Sequence, residues 1–141
     1  MNRSMTRRGF TTAALGLAAG TMAPAAGPER EAQKAAEAWL ALVDQGNYGA
    51  SWDEAAAMFK EKVPRAQWVA MAGKARSPLG ALASRSLIGA RFMRELPQAP
   101  DGEYVVIQYS ASFAKKAKAV ETVTPMKDPD GVWRVSGYYV R

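Results

Sequence analysis

The chain has 141 residues, 48% of them hydrophobic, which suffices for one domain around one core and falls short of two. It contains no cysteine and no histidine. Disulfides, thiolate nucleophiles, Ser-His and Cys-His triads, zinc sites built on those residues and histidine pH switches are thereby excluded. The formal charge is +6, from 19 Lys and Arg against 13 Asp and Glu, and raises the question of an anionic partner.

Residues 1–26 read as a signal peptide. A basic start carrying Arg3, Arg7 and Arg8 leads into a mild run of Ala, Leu, Gly and Thr that ends in Ala23-Pro24-Ala25, a small-residue cleavage pattern. Thr6-Arg7-Arg8-Gly9-Phe10 resembles the twin-arginine export motif, with Thr11 and Thr12 where Leu and Lys are commoner. Arg7, Arg8 and Phe10 are its motif residues. Gly16, Gly20 and Thr21 interrupt the apolar run, which falls short of the roughly 20 residues of a span, so no permanent membrane anchor is expected. Without a cysteine, lipoprotein anchoring is also closed. The expectation is a soluble periplasmic protein that meets the twin-arginine translocase during export. Loss of residues 1–26 would remove three arginines and no acid, leaving +3 on residues 27–141, a single α+β domain. That residue of charge, the export signal and the absence of interleaved basic and aromatic residues argue against nucleic acid as partner.

From 29 to 45, Ala32, Ala35, Ala36, Trp39, Leu40 and Val43 recur at the spacing of one helix face, between Pro28 and Gly46 as start and stop signals. Residues 47–49 read as a turn. Ser51 and Glu54 then have the spacing of a capping box opening a second helix that continues through Lys62 and buries Ala55, Met58 and Phe59. Pro64 opens a third, with Trp68, Met71, Ala72 and Ala75 as its apolar stripe, ended by residues 77–80. Thereafter the period becomes two. Strands are predicted over 84–96, with a bulge or bend at Gly89, over 103–113, over 119–127 and over 132–140. In the second, Val105, Ile107, Tyr109, Ala111 and Phe113 share a face. In the last, Trp133, Val135, Gly137 and Tyr139 do.

Short connections make the strands an antiparallel meander. The expected fold class is therefore α+β: three N-terminal helices packed on one face of a four-stranded antiparallel sheet, analogous in element order to cystatin-like and NTF2-like folds.

Several stretches also carry a family resemblance: WLALVD at 39–44, YGASW at 48–52, RSPLG at 76–80, PDGEY at 100–104 and GVWRVSGY at 131–138, with Gln108, Tyr109 and Phe113. Together they resemble the bacterial domain of unknown function DUF4019, over about residues 32–141. The resemblance implies a small exported or envelope-associated domain and no particular activity.

With neither His nor Cys, catalysis would have to rest on carboxylates, Tyr, Lys or Ser. Asp44, near Trp39 and Val43 at the end of the first helix, is the best-placed acid, with Tyr48, Tyr109 or Tyr139 as a hydroxyl partner; Glu121 is the other catalytic candidate. Against that stands the reading of Asp44 and Asp53 as solvated or capping carboxylates. Glu121 could pair with Arg134 across neighbouring strands, and Gln108, Glu121 and Arg134 could form a polar binding patch on the sheet. Lys115, Lys116 and Lys118 read as a solvated hairpin turn, or as a seat for an anionic polymer. Trp39, Trp68 and Trp133 read as core, with Trp52 at the edge of its helix. No glycine-rich phosphate loop and no serine-nucleophile motif is present, and no metal or cofactor is expected. The preferred function is a non-catalytic periplasmic module that binds a protein partner or a small ligand. The alternative is a small acid-base enzyme, isomerase- or dehydratase-like, using a carboxylate and a tyrosine in an NTF2-like cavity.

Overall fold

The computed structural model describes residues 27–141. The signal-peptide and twin-arginine readings, including Arg7, Arg8 and Phe10, lie outside the described residues.

Helix α1 spans Pro28–Asp44, with Pro28 in its first turn beside Glu29 and Glu31, where a fixed φ and negative charge both suit a helix start. Its end is a Schellman turn. Gly46, at φ 78°, donates to the Val43 carbonyl and Asn47 donates to that of Leu42. Ala32, Ala36, Trp39, Leu40 and Val43 form its buried stripe, as the spacing predicts.

The expected second helix is two short ones, α2 over Tyr48–Asp53 and α3 over Ala57–Lys62, so the described residues hold four α-helices and not three. The cause is local. Ala56 adopts extended geometry and donates its N–H to the Val135 carbonyl, 2.8 Å away. A helical bond is thus exchanged for one that ties the break to a strand. Ser51 is not a cap: it lies inside α2, fully buried, with its hydroxyl on the Tyr48 carbonyl. Helix α4 covers Arg65–Arg76 and runs into a 3-10 turn at Ser77–Leu79. It buries Trp68, Ala72 and Arg76, whereas Met71 is exposed.

The strands are β1 Leu82–Met93, β2 Tyr104–Phe113, β3 Lys116–Lys127 and β4 Trp133–Val140, in the spatial order β1-β2-β3-β4 and all antiparallel. The β2–β3 turn is tighter than expected, because Phe113 already pairs with Lys116. Of the register irregularities in the sheet, two decide which side chains face inward in the later halves of β1 and β4. Leu87 pairs with Tyr109 and Gly89 with Gln108, leaving Ile88 as an extra residue, close to the predicted bulge. In β4, Val135 pairs with Pro125 and Gly137 with Thr124, leaving Ser136 over. One extra residue exchanges the two faces. Trp133 and Val135 therefore point to the core, but beyond Ser136 it is Tyr138 and Val140 that do, and Tyr139 is 53% exposed. The expected Trp133, Val135, Gly137, Tyr139 face is corrected accordingly.

The main core joins α1 and α4 to Val105, Ile107, Tyr109, Val123 and Val135. A smaller cluster of Ala111, Phe113 and Ala119 lies with Leu79, Leu82 and Val140.

Candidate functional site

Two features stand out: a buried group of charges on the inner sheet face, and an open cleft between α1 and β4.

The charges come from four elements. Asp44 ends α1, Arg76 ends α4, Arg85 lies on β1 and Glu121 on β3. Arg85 donates from Nη1 to Asp44 Oδ2 at 2.8 Å and from Nη2 to Oδ1 at 2.9 Å. Its Nε donates to Glu121 Oε1 at 2.7 Å and Nη2 also reaches Oε2 at 3.2 Å. Arg76 Nη2 donates to Asp44 Oδ1 at 2.9 Å, and its Nη1 stands 4.0 Å from Glu121 Oε2. The Arg76 guanidinium also lies over the Phe113 ring, 4.7 Å from its centroid. The Tyr138 hydroxyl donates to Glu121 Oε2. Glu121 is completely buried. Two acids face two arginines, so the group is formally neutral, which is the condition for holding charges out of water.

Burial works to raise the Asp44 carboxyl, but the hydrogen bonds and charges of Arg85 and Arg76 overcome it and hold the group below its ordinary range. Burial likewise works against the Arg85 cation, and the two carboxylates reverse it, driving the guanidinium upward. Burial, then the Glu121 charge, pushes the Tyr138 phenol well up. An anion held as an anion and a phenol held as a phenol are poor proton shuttles near neutral pH.

Asp44 and Glu121 do come together, through Arg85. No tyrosine bonds to Asp44: Tyr48 packs against the main core, Tyr109 is buried with its hydroxyl unpartnered and its phenol pushed up by burial, and Tyr139 points outward. Glu121 does not pair with Arg134, which faces Met126 in the register and donates to Asp128 and Asp130 at 3.0 and 2.9 Å. Gln108 lies on the other sheet face, 3.5 Å from the Thr122 hydroxyl. Gln108, Glu121 and Arg134 therefore form no common patch. Asp53 makes an exposed pair with Arg65.

Arg76 and Arg85 are not singled out by any chemical motif in the sequence. Arg76 could have been, since it continues the Trp68, Ala72 spacing by one more turn. Arg85 carries no such signal beyond sharing the parity of Leu87.

The cleft is about 460 Å³, lined by Ala35, Ala38, Trp39 and Leu42 of α1 and by Val132, Trp133 and Val135 at β4, with Glu54 and Arg134 as its charged groups. Its size is that of a small-molecule site. The Ala56 bond to Val135 and the Asp128 carboxylate, which accepts from Ala57 and Arg134, fix the β4 wall. Trp39 is fixed by its indole N–H on the Ser51 carbonyl at 2.8 Å, and Trp68 by its own on the Ser51 hydroxyl at 2.9 Å.

The family model for DUF4019, a protein of unknown function, matches residues 35–138. The chain belongs to the DUF4019 family. Every residue of the charge group, and every residue lining the cleft, falls inside the DUF4019 match. A search of the curated proteins finds no match to the chain. Among the described residues of this DUF4019 chain, no helix is long and apolar enough to cross a membrane.

Proposed function

We propose that this DUF4019 protein is an exported, periplasmic, non-catalytic module that binds a small ligand, or an apolar side chain of a protein partner, in the cleft between α1 and β4. The observation that carries the reading is the division of labour between the two features. The cleft is open and largely apolar, with a tryptophan on each wall. The charges are largely buried and paired with one another, although Arg76 Nε and Nη1 lack a hydrogen-bond partner, so they tie the ends of α1 and α4 to β1 and β3. An occupant with apolar bulk and a donor or cationic end suits the Glu54 carboxylate at the cleft. Export rests on the basic and small-residue pattern of residues 1–26 and the twin-arginine-like motif at Arg7, Arg8 and Phe10. The likeness to cystatin-like and NTF2-like architecture rests on element order, helices first and a meander afterwards.

An acid-base enzyme built on Asp44 or Glu121 has less support. Tyr138 and Glu121 are in contact, but the pair is buried and already engaged by Arg85. The test is a titration of the purified protein with the neutral apolar dye N-phenylnaphthylamine, followed by dye emission. Saturable binding that Trp133→Ala abolishes supports the reading. Binding unaffected by Trp133→Ala, or none, contradicts it. Fusion of residues 1–26 to a reporter that is active only after twin-arginine export tests the location separately.

A further inference from the structure

Strand β1 is an edge strand with one paired neighbour among the described residues. It is 12 residues long, contains no proline, lysine or acid, and exposes Leu87 (45%) and Ile88 (58%) side by side at its midpoint. Edges of this kind template further pairing unless blunted. Of its two arginines, Arg85 is already engaged by Asp44 and Glu121, which leaves Arg91 as the one outward charge.

From this we infer that two copies of the chain pair antiparallel along β1, about a two-fold axis between Leu87 and Ile88, to make one continuous eight-stranded sheet. The bulge selects the occupant. Before Ile88, Arg85 and Leu87 lie on the helix-covered face; after it, Ala90 and Phe92 do. A regular foreign strand keeps one alternation throughout and matches only one half of β1. A second copy brings the same extra residue to the same place. Ser86 then falls opposite Gly89, Arg85 opposite Ala90 and Ser84 opposite Arg91, inner residues against inner and outer against outer, while the exposed Leu87 and Ile88 of the two copies meet at the axis. Each arginine meets an uncharged residue, so no like charges oppose one another. On the outer face the groove of about 480 Å³ lined by Ile88, Gly89, Arg91, Met93, Val106 and Gln108 receives the small Ser84 and Ser86 of the second copy. The contact is isologous and closes at two. One strand per copy places it toward the small end of stable interfaces, below roughly 1,200 Å² in total, so the dimer is reversible.

Sedimentation velocity of the purified protein over a concentration series tests this. The expected result is a shift from the mass of one chain to that of two, lost in Ile88→Asp at unchanged circular dichroism. Because the chain has no cysteine, mixing Ser84→Cys with Arg91→Cys chains under mild oxidation should give a disulfide-linked pair, as directly opposed Cα atoms permit. A protein that stays monomeric overturns the proposal and leaves the edge to a foreign strand or to residues 1–26. A dimer that survives Ile88→Asp, or one in which the two cysteines stay unlinked, overturns it as well.

Discussion

Arg85 on β1 reaches Glu121 on β3 across the intervening strand, with Nε 2.7 Å from Oε1. It can do so because the residue of β2 paired with Arg85 is Ala111, whose small side chain leaves the guanidinium room to lie over the sheet. The same guanidinium holds Asp44 at the end of α1, so one side chain ties the helix layer to two strands.

Arg85→Ala should therefore be severe. It strands Glu121 and half-frees Asp44, and loss of one partner from a buried ion pair costs about 3–5 kcal/mol. Urea denaturation should show that loss as a lower midpoint. Arg85→Lys should recover part of it, since one ammonium replaces a charge but not the two-sided fork.

The acid limb of stability is set in part by Asp44. Its folded value lies below the ordinary one, so its contribution is complete above the unfolded value near 3.9 and disappears as pH falls through the folded value. Thermal melts should be steady from neutral pH to about 5 and decline below about 4, with a shallower decline in Asp44→Asn. At the other end, Tyr138 and Tyr109 are raised in the fold. Stability should fall as pH climbs past about 10, where the unfolded phenols ionise first, and Tyr138→Phe should reduce that slope.

Ser51→Ala removes a hydroxyl that accepts from the Trp68 indole while donating to the Tyr48 carbonyl. It leaves a buried N–H without a partner, which costs about 1–3 kcal/mol. Chemical denaturation followed by tryptophan emission measures it. A change of a few tenths would mean that Trp68 finds another acceptor.

Glu54→Gln should weaken binding of a cationic apolar dye in the cleft while leaving a neutral one nearly unchanged. Fluorescence titration of both dyes against both proteins reads the difference. Equal weakening of the two would remove Glu54 from the recognition of charge.

The periodic elements were legible in the sequence. The α1 stripe, the inner face of β2 and the meander all follow from spacing and turn residues, because each depends on neighbours within one element. What was not legible depends on a distant partner. The break at Ala55 and Ala56 exists because Ala56 bonds to Val135, 79 positions on. The face of Tyr138 depends on the one extra residue at Ser136. Asp44 and Glu121 are both visible as candidates, yet their use cannot be read without Arg76, whose place on the Trp68, Ala72 stripe is the one local signal, and Arg85, which local pattern marks as a surface cation.

The division between a structural charge group and a binding cleft can be read in one measurement. Amide and indole chemical shifts of the labelled protein, recorded with increasing N-phenylnaphthylamine, should move at Ala35, Ala38, Val132 and the Trp39 and Trp133 indoles. Those at Asp44, Arg85 and Glu121 should stay in place. Shifts centred on Asp44, Arg85, Glu121 and Tyr138, with the cleft unmoved, would contradict the account.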